Sequence, residues 1–326
     1  FIGGTENRDN IKQMLKEHGD DGDILAIVDI VEKCLSKTNS SDRGKYMKQH
    51  YLSFNKLREI ESSISQYYSI LSDLGFLPIK YRQSEGSELE RNGKSKSILK
   101  AILAGTLYPN IARVQLPDMK YLSTSMGSIE KDLEAKQIKY WIRNEEFQTE
   151  LQKLKDEGKE INWRNNDLPP STKRAFLHPS SVLFQGNEMS VVELQALQDD
   201  LHRISKKTSP TSLTSPFVAY VSTQLTSKQF INGLTPVSTL VLLLFGGVLR
   251  YDIDSESLSP GIIMDDWIPI RTWCKNGILL NELRLTLDKA IQTVLEKPQY
   301  VSGTQNTSKN LEHVFQLVHN LIEIES

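Results

Sequence analysis

The chain has 326 residues, 38% hydrophobic and 25% charged, a balance that excludes a disordered or fibrous protein and suits roughly two domains of ~150 residues. Basic side chains number 39 and acidic ones 41, a net charge of −2, so a uniformly basic nucleic-acid binder is excluded and any such role must rest on uneven charge. Two cysteines, Cys34 and Cys274, exclude a disulfide scaffold and an all-cysteine zinc site, and suggest a reducing compartment.

The first ten residues, FIGGTENRDN, lack both an initiator Met and the basic-then-apolar pattern of a signal peptide, and read as the start of a fragment. Residues 1–76 have helical character. Asp23 is the expected N-cap of a helix over 24–34, and the Ser/Asn-rich stretch 35–44 reads as a loop. Leu57, Ile60, Ile64, Tyr67, Leu71 and Leu74 then form one apolar stripe, closed by Gly75 and Pro78. The Tyr67/Tyr68 pair reads as packing rather than a ligand site.

Residues 80–94 are polar and aperiodic, a loop and domain boundary; a helix over 95–107 follows, ended by Pro109. Residues 110–116 alternate like a half-buried strand. The charged stretch 118–168 contains a predicted helix over 128–155. Further strands are expected at 174–177, 181–184, 217–223, 228–231, 248–252, 261–264 and 267–270. The apolar run 237–245 suits strand or helix. Short strands at this spacing fit a small barrel. The longest apolar run, 240–249, is too short for a membrane span and is interrupted by Gly246 and Gly247. Leu279, Leu283, Leu287, Ile291 and Leu295 mark a helix stopped by Pro298, and Leu311, Val314, Phe315, Val318 and Ile322 mark the last one.

Catalytic motifs are few. There is no GxGxxG after a strand, no HExxH, no CxxC and no GxSxG. Asn92-Gly93-Lys94-Ser95 resembles the end of a phosphate loop, but Glu88 stands where the first glycine belongs and would repel phosphate. No catalytic residue and no metal ligand set emerges. His178-Pro179-Ser180-Ser181 admits two readings. One is a nucleophilic Ser180 with His178, for which no orienting acid is evident; the other is a strand start with local serine hydrogen bonds.

Charge is locally uneven. Residues 201–251 hold Arg203, Lys206, Lys207, Lys228 and Arg250 and no acid, and 171–184 add Lys173 and Arg174, again without an acid. Residues 252–266 hold five acids and no base. A basic sector beside an acidic loop can track phosphates; a solvated surface with incidental clustering is the alternative.

Read together, several segments resemble the C-terminal region of DEAH/RHA-type ATP-dependent RNA helicases. Tyr51-Leu52-Ser53, 57–61 and QYYSILSDLGF (66–76) are similar to the end of the helicase-associated helical region. LKAILAGTLYPNIARV (99–114) resembles the entry into the OB-fold, and FLHPSSVLF (176–184) its His-Pro-Ser-Ser segment. Residues 216–247, ending LLLFGG, resemble later barrel strands; Asp266-Trp267-Ile268 and 280–295 resemble the closing strand and helix. The sequence departs from that pattern in lacking Walker, DEAH-box and arginine-finger motifs, in starting inside the helical region, and in carrying insertions near 118–170 and 186–213.

The resemblance implies an α+β chain: a partial helical bundle (1–93), an OB-fold barrel with insertions (94–298) and a C-terminal helix (299–326). It implies an accessory region that binds single-stranded RNA and regulates a motor. This chain alone would not hydrolyse ATP; ATP and Mg would serve the motor domains of the parent protein. Implied partners are single-stranded RNA, those motor domains, and a ribosome or activator protein, with no membrane and a cytoplasmic location. His178, Ser180 and Ser181 match the family's OB segment, and Lys173, Arg174 and Lys228 are the phosphate candidates. The alternative is a protein- or ribosome-docking module with incidental RNA contact; a free-standing hydrolase using His178 and Ser180 is a third.

Overall fold

A computed structural model describes residues 1, 7–17, 21–78, 92–116, 138–159, 168–184, 216–251, 261–270, 272, 274–298 and 309–324. Four helices lead: α1 (Arg8–Lys16), α2 (Asp23–Leu35), α3 (Ser40–Gln49) and α4 (Phe54–Asp73). The expected loop over 35–44 is shorter than predicted, because Asn39 accepts the Ser41 N–H and starts α3 at Ser40. Asp23 is not an N-cap. Gly22 holds that position and Asp23 is the first helical residue. Ile30, Cys34, Met47, Leu52 and Leu57 close a small core among these helices.

The stripe on α4 forms as its spacing predicts, with Ser53 capping the start and Gly75 at φ 82° after the end. Among the described residues, however, it is largely uncovered. Leu57 is 3% exposed, whereas Ile64 is 38%, Leu74 58% and Tyr67 66% exposed. Periodicity reports a helix with an apolar side; it does not report what covers that side. The packing expected of Tyr67 is accordingly not seen.

Helix α5 (Lys96–Leu107), capped by Ser95, leads into β1 (Ile111–Gln115). The predicted helix over 128–155 is corrected in part. Residues 128–137 lie outside the described residues, 139–143 form β2 (Lys139–Arg143), and only α6 (Glu145–Asp156) is helical. Tyr140 and Ile142 face a core while Lys139, Trp141 and Arg143 face away, the alternation of a half-buried strand. β3 (Thr172–Leu177) follows. Residues 181–184 are a turn, not the predicted strand, because Ser181 and Phe184 close local backbone hydrogen bonds.

The predicted strand 217–223 is two, β4 (Phe217–Ala219) and β5 (Ser222–Leu225), broken at Tyr220–Val221, with β6 (Gln229–Asn232) and β7 (Thr235–Val237) next. The ambiguous 237–245 run is helix α7 (Thr239–Phe245). Ser238 caps it and four consecutive residues, Val241 to Leu244, are buried, as for a helix enclosed on all sides. β8 (Leu249–Tyr251), β9 (Ile262–Met264), β10 (Ile268–Ile270), α8 (Cys274–Glu296) and α9 (Lys309–Ile324) complete the chain. On α8, Leu287 and Ala290 are buried, while Leu279 and Leu295 of the four-residue stripe are mostly exposed. A strict repeat of four drifts around a helix of 3.6 residues per turn.

The class is α+β. Among the described residues the strands form two sheets: seven strands in the order β5-β6-β3-β2-β1-β4-β7, and three in the order β10-β9-β8. All pairs are antiparallel except β3–β6. One core lies under α5, α7, α8, α9 and the small sheet, and takes Ile111, Phe217, Ala219 and Val237 from the large sheet. The other lies on the opposite face and joins Ala112, Tyr140, Ile142, Ala175, Leu177, Val218 and Ile231 to Ala26 of α2. The expected insertion over 186–213 lies outside the described residues.

Burial raises the pKa of Tyr108, Tyr140 and Tyr220, with the Asp265 carboxylate adding to the shift of Tyr108. Unfolded tyrosines ionise near pH 10. Above that pH the unfolded chain sheds protons that the fold retains, so stability is full below about pH 10 and is lost as pH rises beyond it. Thermal melts between pH 8 and 11 should show this loss. Tyr140→Phe should blunt it, since burial alone shifts Tyr140; an equally steep loss in that variant would refute the assignment.

Candidate nucleic-acid interface

The large sheet turns one face from apolar to basic and aromatic as it leaves the helices. Ile111, Phe217 and Ala219 lie on the covered part. Further along the same face, pairing sets Arg113 opposite Trp141, Trp141 opposite Arg174, Phe176 opposite Phe230 and Gln224 opposite Phe230. Alternation along β3 adds His178 just beyond the strand. The Arg174 guanidinium lies 4.9 Å and the Lys228 ammonium 4.7 Å from the centre of the Phe176 ring. Phe230 lies 6.3 Å from Phe176, and His178 meets Phe230 edge-on at 6.0 Å. Two cations, two phenyl rings and an imidazole thus converge where the parallel strands β3 and β6 meet. Cation–aromatic contacts of this kind hold long side chains in place.

The six candidates from sequence divide. Arg174, His178 and Lys228 come together. Lys173 falls on the opposite face, in register with Ile142, and is solvent-exposed at the strand's start. Ser180 is exposed, and its hydroxyl is 2.5 Å from His178 Nδ1. That nitrogen also accepts the Ser180 backbone N–H at 3.2 Å. In the neutral ring the proton therefore sits on Nε2, leaving a donor there. Among the described residues no carboxylate touches the His178 ring, so the His–Ser contact is a local turn without the third group a nucleophile needs.

Ser181 is turned inward and is 3% exposed. Its hydroxyl donates to Asp23 Oδ1 at 2.9 Å and accepts the Leu183 N–H at 3.2 Å. Asp23 also accepts the N–H groups of Val182 (2.7 Å) and Leu234 (2.8 Å). One carboxylate at the start of α2 thereby fixes the His-Pro-Ser-Ser turn and the β6–β7 turn. Lys12 of α1 donates to the Pro179 carbonyl at 2.5 Å and lies 4.7 Å from the Phe184 ring centre. A cleft of about 490 Å³ opens there between α1, α2 and Ser180, Ser181, Asn232 and Gly233.

The charge blocks resolve unevenly. Arg203, Lys206, Lys207, Asp252, Asp254 and Glu256 lie outside the described residues. Arg250 and Lys155 pair with Asp266 at 3.0 and 2.9 Å. Asp265 accepts the Val248 N–H at 2.7 Å and the Tyr108 hydroxyl. These two acids are structural ties. Charge and motif patterns do not mark Trp141, Arg113, Phe176 or Phe230 as site residues; alternation in KYWIR (139–143) is the signal that points Trp141 outward. Among the described residues no cluster of metal-ligating side chains occurs, and no helix is long and apolar enough to cross a membrane.

Residues 98–249 match the family model of the oligonucleotide/oligosaccharide-binding (OB)-fold. The whole chain is similar to part of a putative ATP-dependent RNA helicase of Saccharomyces cerevisiae, 47% identical over 100% of this chain and 23% of the relative. A putative DEAH-box ATP-dependent helicase of Mycosarcoma maydis is 25% identical over 81% of this chain and 14% of its own length. A putative ATP-dependent RNA helicase of Mus musculus is 24% identical over 85% of this chain and 18% of its own length. The chain thus spans less than a quarter of each. Residues 98–249, a little under half of the chain, are thus similar to the OB-fold domain family, and 81–100% of the chain is similar to a region of proteins named as ATP-dependent RNA helicases, one of them DEAH-box.

Proposed function

We propose that this chain is the C-terminal accessory region of an ATP-dependent RNA helicase, binding single-stranded RNA and through it regulating the motor. The observation that carries this reading is the convergence of Arg174 and Lys228 on the Phe176 ring beside Phe230 and His178. Single strands are held by a cationic track combined with aromatic and hydrogen-bonding side chains, and these strands supply both. ATP and Mg belong, in this reading, to motor domains carried elsewhere in the parent protein, and the chain alone turns over no ATP. A cytoplasmic location is part of the reading.

The test is RNA affinity against salt. Replacing Arg174 and Lys228 together by Gln should weaken binding of a labelled single strand and flatten the log–log salt slope by about 1.4, since each phosphate contact to a single strand contributes about 0.7. Lys173→Gln, on the other face, should change the slope less. A double variant with the parent's slope would remove this face from consideration. A second reading, a docking module for a ribosome or activator protein, is favoured by the apolar side of α4 left uncovered among the described residues, including Phe54, Ile60, Ile64 and Tyr67. It predicts only incidental RNA contact, with neither affinity nor salt slope changed in the double variant.

A further inference from the structure

The register places Trp141 of β2 between two arginines, Arg113 of β1 and Arg174 of β3, each directly opposite it. Adjacent strands lie about 5 Å apart, so both arginines flank the indole at side-chain reach. The indole is oriented, because Nε1 donates to Gln115 Oε1 at 2.7 Å. Its surroundings differ from those of Phe176, whose ring already carries Arg174 and Lys228. Among the described residues no cation and no second ring lies over Trp141. Arg113 is half-buried, and its Nε has no hydrogen-bond partner among the described residues. Buried guanidinium N–H groups ordinarily have acceptors, and a phosphate oxygen is a fitting one.

We propose that Trp141 is a stacking subsite for one unpaired nucleobase, with Arg113 and Arg174 taking the phosphates on either side of it. The two aromatic positions then have different tasks. Phe176 holds cations, and Trp141 offers a ring face. Inside a duplex both faces of a base are covered by its stacked neighbours, so the subsite selects single strands over duplex. This rests on the single-stranded RNA reading above and adds where and how a base is held.

The experiment titrates the full 326-residue chain with two labelled probes of about 12 nucleotides, an oligouridine RNA and an abasic strand with the same phosphates. Trp141→Ala should weaken oligouridine binding roughly 5- to 150-fold, the range expected for one lost base stack. It should leave abasic-strand binding and the salt slope unchanged. Trp141→Phe keeps a ring and should stay within about threefold of the parent. It should also abolish the part of the RNA-induced quenching of indole fluorescence due to this residue, a readout that does not depend on the alanine variant folding. Unaltered oligouridine binding by Trp141→Ala, or an equal loss on the abasic strand, overturns the subsite and leaves the RNA reading standing. An unmodified chain that binds neither probe overturns both.

Discussion

Asp23→Ala is expected to destabilise the chain by roughly 3–5 kcal/mol, read as a lower urea midpoint with an unchanged slope. The carboxylate of Asp23 accepts three hydrogen bonds, from Ser181 Oγ, Val182 N and Leu234 N, at 2.7 to 2.9 Å. Ser181 and Leu234 are buried at 3% and 0% exposure, so alanine leaves donors that water cannot readily reach. Each orphaned buried donor costs about 1–3 kcal/mol. The backbone reinforces the tie, because Asp23 N donates to the Leu234 carbonyl at 2.8 Å. Just before it, Gly22 stands at φ 100°, where a Cβ would overlap that same carbonyl. Asp23→Asn separates charge from shape. Its Oδ1 can still accept from Ser181 and Val182, but its amide would face the Leu234 N–H donor to donor. A loss between those of parent and alanine variant is expected. A cost under about 1 kcal/mol for Asp23→Ala would mean that these bonds are replaced by water.

Local periodicity and capping made much of the fold legible. Ser95 and Pro109 bracket α5, Gly75 ends α4, and alternation identifies β1 and β3. Those signals sit within a few residues of what they control. Asp23 shows the opposite case. Beside an apolar segment it reads as a cap, yet its partners lie 158 to 211 positions away. The candidate site divides the same way. Lys173 and Arg174 are neighbours in an acid-free stretch, and a two-residue period is enough to separate their faces. That Arg174 meets Lys228 over Phe176, and that Trp141 sits between Arg113 and Arg174, depends on strand register, which no single segment encodes. The family resemblance marks the His-Pro-Ser-Ser segment but not the division of labour inside it. His178 and Ser180 face outward, whereas Ser181 is held by α2.

Gly247→Ala is the second large effect, with an expected cost of about 3 kcal/mol or more. A Cβ at Gly247 would overlap the Asp265 carboxylate. That carboxylate has little freedom to give way, since it accepts the Val248 N–H at 2.7 Å and the Tyr108 hydroxyl, and Asp265 itself stands at φ 45°. Nor can the glycine strand move easily. Arg284 of α8 donates to the carbonyls of Gly247 (2.8 Å) and Gly246 (2.7 Å), and a Cβ at Gly246 would meet Met264. The LFGG segment is therefore where α7, the three-stranded sheet, α8 and Tyr108 are fastened together, and its glycines are required by close approach rather than by backbone angle. A double-mutant cycle distinguishes that cause from a general loss of stability. Asp265→Ala is itself destabilising, because it strands the Val248 N–H and the Tyr108 hydroxyl, but it removes the atoms that the new methyl would strike. In that background Gly247→Ala should cost less than about 1 kcal/mol, a coupling of about 2 kcal/mol between the two sites. Equal costs in both backgrounds would place the strain elsewhere, in the backbone of the turn itself.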